Sequence, residues 1–238
     1  MKIKNKIINF KGIHFYNYDI RSILLKLKDG GYLVAPAASA LVRINENKKY
    51  YKALKESNEA IFDSGFFCIL LRLKYGYEIK KFSGYLFLKK LLKIKSKKKK
   101  NILLIDPSKK ESNDNLDYLK SKKFLNVHSY IAPIYKKNIK DHNLIKNIKK
   151  GKFQVIIINI GGEVQEVLAN YIYRKLNDKT LIICTGAAIG FLTKNQAPIN
   201  DFIDKYYLGW LLRVAYNPKK FLIRVLRSFL LIKLFIQK

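Results

Sequence analysis

Three stretches of the sequence hold residues whose type and spacing could do chemistry. The first is Phe62-Asp63-Ser64-Gly65, where one acid is followed by glycine and enclosed by apolar residues. A carboxylate held within hydrogen-bond reach of an attacking hydroxyl can take its proton. Capping a helix or closing a turn is the ordinary employment of an aspartate at such a place, and the local sequence leaves both roles open. The second is Gly161-Gly162-Glu163-Val164-Gln165-Glu166, just after the clearest strand of the sequence. Glycines there let a ligand approach the backbone, and the free amides of a helix start favour a phosphate. Glu163 and Glu166 are expected to oppose an anion, and the spacing is neither a Walker loop nor a full dinucleotide fingerprint. An ordinary strand-to-helix turn would read the same way. The third is the C-terminal stretch, where Lys220, Arg224, Arg227 and Ser228 recur at helical spacing. Phe221, Leu222, Val225, Leu226, Phe229 and Leu230 fill its other faces. A basic, apolar helix of this kind is expected to lie in a membrane interface, through Lys220, Arg224 and Arg227. Each basic group near an anionic surface adds on the order of 1 kcal/mol. The alternative is a terminal helix docked on the protein's own core.

The elements that must position these residues read as follows. Ile7 to Tyr18 can supply one or two short strands. Asp19 caps a helix that ends at Gly30-Gly31, and Tyr32 to Ala35 is a strand stopped by Pro36. A helix is expected around Asn45 to Glu56, and another over Phe66 to Leu73 with Ser64 as its cap. The basic run Lys93 to Lys100 divides the chain and reads as a solvated linker. Beyond it come strands at Asn101–Ile105, Val127–Ile131, Phe153–Ile160 and Leu181–Cys184, with helices at Asn113–Lys123 and Glu163–Leu176. Alternation of this kind implies an α/β fold, a mostly parallel sheet with helices on both faces, Rossmann-like in its C-terminal half. Ligands in such sheets bind at the carboxyl ends of the strands. Three parts are expected: residues 1–95 as an α/β half carrying Asp63, 100–204 as a donor-binding half, and 205–238 as a basic helical appendage.

Composition narrows the partners. Nearly half of the 238 residues are apolar, which excludes a disordered chain. A formal net charge of +31 attracts anions, whether nucleic acid, lipid headgroups or phosphorylated substrates, although a general drift toward Lys produces the same excess. Cys68 and Cys184 lie far apart in apolar runs, and His14, His128 and His142 are isolated, so neither a disulfide framework nor a metal site is expected. No secretory signal and no run of about 18 uncharged apolar residues is visible, so the expected location is the cytosolic side.

The same stretches carry a resemblance to a known family. Ala53-Leu54 through Asp63-Ser64-Gly65 is similar to a segment leading to an Asp-Gly motif, and Ser83-Gly84 to the Ala-Gly step after it. Gly161 through Gln165-Glu166 resembles a Gly-x-Pro-Lys-Gln-Glu motif, and Gly186 to Gln196-Ala197-Pro198 a glycine-rich segment ending Arg-Ala-Pro. Leu208-Gly209-Trp210-Leu211-Leu212-Arg213, with Asn217-Pro218, resembles Leu-Glu-Trp-Leu-Tyr-Arg followed by Glu-Pro. In this order, from about Val34 to the C-terminus, these motifs resemble the WecG/TagA/CpsF family of glycosyltransferases. The resemblance implies inverting sugar transfer without a metal or other cofactor, from a UDP-sugar (N-acetylmannosamine or a related hexose) to a polyprenyl-diphosphate-linked acceptor. The products it implies are capsule, lipopolysaccharide, teichoic-acid linkage units or enterobacterial common antigen. It further implies Asp63 as base, and Gly161, Gly162, Gln165, Glu166, Gly186 and Arg213 as substrate-binding residues. The tail would hold the protein peripherally on the inner face of the plasma membrane. No nucleic-acid partner is expected, and association with further copies of the chain is left open.

Departures from the family pattern are specific. Ala35-Pro36-Ala37 stands where Thr-Pro-Asn is usual, Glu163-Val164 replaces Pro-Lys, and Asp106-Pro107 occupies a Gly-rich turn. Gln196 replaces an arginine, and Leu86 falls where an aspartate follows the Ala-Gly step. Each lost hydrogen-bond partner weakens a sugar site by on the order of 1–3 kcal/mol. An altered sugar is therefore one expectation. The alternative is a catalytically silent member assisting another glycosyltransferase at the membrane.

Overall fold

The computed structural model describes residues 6–79, 81–94, 99–136, 138–176, 179–196, 201–205 and 209–237. Residues 95–98 of the basic run, Ala197-Pro198 and Leu208 lie outside them. The chain opens with a hairpin, β1 (Ile7–Phe10) and β2 (Ile13–Tyr16), turned at Lys11-Gly12 where both residues have positive φ. Then come α1 (Ile20–Lys26), β3 (Gly31–Val34), α2 (Ala38–Leu41), α3 (Lys48–Lys55), β4 (Glu59–Ala60), α4 (Gly65–Tyr75) and α5 (Gly84–Leu91). The second stretch runs β5 (Ile102–Asp106), α6 (Lys109–Ser121), β6 (Val127–Ile131), α7 (His142–Gly151), β7 (Val155–Ile158), α8 (Val164–Lys175), β8 (Leu181–Cys184) and α9 (Ala188–Leu192). It closes with α10 (Asp201–Lys205), α11 (Gly209–Tyr216), α12 (Pro218–Phe229) and α13 (Leu231–Ile236).

The strands join one eight-stranded sheet in the order β1-β2-β4-β3-β8-β7-β5-β6, parallel throughout except for the β1–β2 hairpin. The two stretches expected as halves meet where β3 pairs with β8. Strand alternation assigns side chains to two cores. Val34, Leu103, Ile105, Ile156, Ile158 and Ile182 point to one face, where Tyr50, Phe67, Leu71, Leu144, Leu168 and Leu231 bring α3, α4, α7, α8 and α13. Leu33, Leu104, Ile157 and Ile183 point to the other, where Ile23, Phe87, Leu88, Leu119 and Ile189 bring α1, α5, α6 and α9. Burial on both faces is why β7 and β8 read as unbroken apolar runs.

Local chemistry sets the helix starts. Side chains of Asp19, Asn47, Ser64, Ser83, Ser108 and Asp141 each accept a backbone amide at the first turn of α1, α3, α4, α5, α6 and α7. Several boundaries differ from the sequence expectation for that reason. The helix expected from Asn45 begins after Asn47, and the one expected at Asn113 begins at Lys109, because Ser108 is the cap. The strand expected over Phe153–Ile160 is Val155–Ile158, since Asn159 turns the chain into the Gly161-Gly162 loop. Helices α2, α5 and α7 and the short strand β4 were not expected.

Candidate active site

The parallel strands deliver loops to one end of the sheet, and those loops enclose a cavity of about 680 Å³. It lies in the range of small-molecule sites. Asp63 beyond β4, Ala35 beyond β3, Thr185 and Gly186 beyond β8, Asn159 to Gly162 beyond β7, and Pro107 beyond β5 all line it. The tail closes the other side with Trp210, Arg213, Phe221, Arg224 and Val225.

Asp63 is half-buried, and its Oδ1 accepts the backbone amide of Gly84 at 2.8 Å. Its other oxygen makes no hydrogen bond among the described residues. The helix that follows is capped by Ser64, whose Oγ accepts the Phe67 amide, so Asp63 is released from capping. Gly84 also lets the start of α5 approach closely: a Cβ there would stand 3.1 Å from Cβ of Thr185.

Gln165 is held at both ends of its amide. Its Oε1 accepts the Gly186 amide at 2.8 Å, and its Nε2 donates to Glu166 Oε1 at 2.9 Å. Gly186 has φ +57, which a glycine adopts without strain. Glu166 is fully buried, and burial pushes its carboxyl up to about 7. Its Oε2 has no hydrogen-bond partner among the described residues. Glu163 turns away from the cavity: its carboxylate accepts from Asn47 Nδ2 at 3.2 Å and lies 3.6 Å from Arg43 Nε. The expectation that two glutamates repel an anion here is therefore corrected. One faces an arginine elsewhere, and the other is shifted toward its neutral form.

Arg213 lines the same cavity as the acid. Its guanidinium lies 4.7 Å over the Phe191 ring, and its Nε is buried without a hydrogen-bond partner among the described residues. Burial lowers its pKa, and the Asp63 carboxylate opposes that shift. An arginine remains charged under both influences. Arg224 also lines the cavity, with its pKa lowered by burial and then by Arg227. Arg224, expected at the membrane, is exposed as well as lining the cavity. Phe221, Arg224, Val225, Ser228 and Phe229 of α12 line the cavity, while Leu222, Ile223 and Leu226 are exposed on its other side. Arg227 is exposed and does not line the cavity. The side chain of Lys220 lies outside those described.

The site also contains residues that sequence reasoning missed. Asp204 is buried, accepts from Lys81 Nζ at 2.6 Å and from Ser83 Oγ at 2.8 Å, and so fastens α10 beside the cavity. Asp106, fully buried at the end of β5, accepts from Asn115 Nδ2 at 2.8 Å and from Asn159 Nδ2 at 2.7 Å, which fixes Asn159 at the cavity edge. Burial raises its pKa. The Ser83-Gly84 step and the departure at Asp106-Pro107 were the signals near these residues, neither of which gave them a role; the pairing of Lys81 with Asp204 spans 123 positions and leaves no local trace. Among the described residues, no three His, Cys, Asp or Glu side chains gather closely enough to hold a metal ion. The polar groups on the lining include the Asp63 carboxylate, the pinned Gln165 amide, Arg213, Arg224 and the Lys81–Asp204 pair, together with Ser39, Glu111, Asn159, Glu166 and Thr185.

Residues 8–238 match the glycosyl transferase WecG/TagA/CpsF family. No curated protein matches the chain.

Proposed function

The chain belongs to the WecG/TagA/CpsF family, glycosyltransferases of cell-surface polysaccharide synthesis, and from that premise we propose that it moves a hexose from a UDP-sugar to a polyprenyl-diphosphate-linked acceptor at the inner face of the plasma membrane. Asp63 Oδ2 takes the proton of the acceptor hydroxyl. The acceptor's hydroxyl oxygen, as its proton passes to Asp63, forms a bond to the anomeric carbon from the face opposite the nucleotide, the bond from that carbon to the UDP oxygen breaks, and UDP leaves with the electron pair. Such a displacement inverts the anomeric centre. Arg213 and Arg224 face the charge that develops on the departing diphosphate, the task a metal performs in other transferases. Gln165, oriented by Gly186 and Glu166, contacts the donor, and the Gly161-Gly162 loop leaves room for it.

The observation that carries this reading is convergence. Asp63, Gln165, Gly186, Arg213 and Arg224 come from four separate parts of the chain and line one cavity at the carboxyl ends of parallel strands. The exposed apolar face of α12 supports the membrane location. Among the described residues no helix is long and apolar enough to cross a bilayer.

The test is turnover of UDP-sugars with a lipid-linked acceptor analogue, followed by UDP release. Asp63→Asn is expected to lower kcat by roughly a hundredfold to ten-thousandfold while UDP still binds. Unchanged turnover in that variant removes Asp63 from the mechanism. Binding of UDP without turnover of any sugar favours the silent-partner alternative.

A further inference from the structure

Asp63, the base in the transferase reading on which this inference rests, is held by a short segment that is itself held from outside. Residues 81–84 lie alongside Phe62 and Asp63. The Phe82 amide donates to the Phe62 carbonyl at 3.0 Å, and the Gly84 amide to Asp63 Oδ1 at 2.8 Å. Lys81 and Ser83 flank Phe82, and both side chains reach Asp204 of α10. Lys81 Nζ donates to Asp204 Oδ1 at 2.6 Å and to its carbonyl at 2.8 Å, and Ser83 Oγ donates to Asp204 Oδ2 at 2.8 Å. Every acceptor oxygen of Asp204 is thus engaged by the segment that orients Asp63. Ser83 Oγ has a second task, accepting the Leu86 amide at 3.2 Å at the start of α5. Asp204 is buried, and the Lys81 ammonium compensates its charge. Asp204 also belongs to the helix that leads into α11, which carries Arg213. Both Asp63 and Asp204 oppose the lowering of the Arg213 pKa, so that guanidinium feels the two carboxylates together.

We propose that Asp204 is a positioning residue for the transfer step: through Ser83 and Lys81 it fixes the Gly84 amide, and through that amide it sets the Asp63 carboxylate against the acceptor hydroxyl. Asp204 touches no reacting atom. An indirect link of this kind costs turnover rather than affinity, since a base displaced by about 1 Å loses rate while the nucleotide is still held.

Steady-state turnover of a UDP-sugar by the full chain, with calorimetric titration of UDP, tests this in variants of Ser83. Ser83→Gly removes the hydroxyl, and glycine is tolerated at a cap, so the variant is expected to fold. Its kcat is expected to fall roughly tenfold to a hundredfold, while the Kd for UDP stays at the wild-type value because no charge has changed. Ser83→Thr restores a hydroxyl that both caps and donates, and is expected to recover most of the turnover. Asp204→Ala should lower kcat by a similar factor, and adding Ser83→Gly to it should cost little more, because both remove one linkage. Wild-type kcat in Ser83→Gly overturns the proposal. So do losses that multiply in the double variant, a Ser83→Thr protein as slow as Ser83→Gly, or a UDP affinity in Ser83→Gly that falls with kcat. Should Asp204→Ala not fold, the two Ser83 variants decide alone. Any of these outcomes with turnover in the wild type leaves the transferase reading standing; a wild-type chain that turns over no UDP-sugar overturns both.

Discussion

Glu166 shows how a residue that looks obstructive in sequence becomes supportive in place. An acid in the first turn of a helix beside a phosphate site should repel the phosphate. Full burial instead raises its carboxyl to about 7, and its Oε1 serves as acceptor for the Gln165 amide. The linkage has a definite sign. The unfolded carboxyl titrates near the ordinary 4.5, the folded one near 7, so the folded state holds the extra proton between them. The stability tied to that proton is complete below about pH 4.5 and is lost as pH rises through about 7. A displacement of that size corresponds to on the order of 3 kcal/mol. Glu166→Gln keeps an acceptor for Gln165 without the titration. Its chemical-denaturation stability is expected to be flatter than wild type across that window, and a profile of unchanged steepness would show that Glu166 does not carry the proton. Glu59, also raised to about 7 by burial, keeps some slope in both proteins.

At the scale of elements, the tail divides into pieces with different employment. Helix α13 belongs to the core: Leu231, Leu234 and Phe235 are buried, and the Phe235 ring lies 4.8 Å from Phe10 and 6.0 Å from Phe67. Lys11 Nζ donates to the Gln237 carbonyl at 2.7 Å and Lys74 Nζ to the Phe235 carbonyl, which answers the unpaired carbonyls of its last turn. A docked terminal helix was the alternative to a membrane helix, and for this segment the docking is what the structure has. Phe235→Ala is therefore expected to destabilise the protein by about 3–5 kcal/mol, read from the denaturation midpoint. A loss below about 1 kcal/mol, the level of a surface change, would mean that α13 does not hold its place. Helix α12, between α13 and the cavity, is the two-sided piece, with arginine and aromatic residues inward and aliphatic residues outward.

For the molecule as a whole, charge and exposed apolar surface act together. A net charge of +31 draws the protein to an anionic surface, and salt screens that attraction over about a Debye length. The outward residues of α12, with Trp210 and Leu211 of α11, add a part that salt does not screen. Co-sedimentation with vesicles containing anionic lipid should weaken as salt rises, and Leu222→Ser with Leu226→Ser should remove most of the binding that survives high salt. Retention by vesicles at high salt in that double variant would locate the apolar contact elsewhere.

The elements of the sheet were legible because their causes are local. Apolar runs of strand length, the caps Asp19 and Ser64, and the glycines at 161–162 act over a few residues, and Asp63 and Gln165 could be singled out on motifs of the same reach. Helices α5 and α7 escaped notice, although Ser83 and Asp141 cap them in the same way. What sequence could not fix was which strand ends become neighbours. The pairing of β3 with β8 joins residues about 150 positions apart, and only the burial of both sheet faces selects it. That pairing puts the end of β3 between those of β4 and β8, so that Asp63, Ala35 and Thr185 line one cavity. Local chemistry determined which residues could act; tertiary packing decided which of them share a site, because proximity across a sheet depends on strand order and not on distance along the chain.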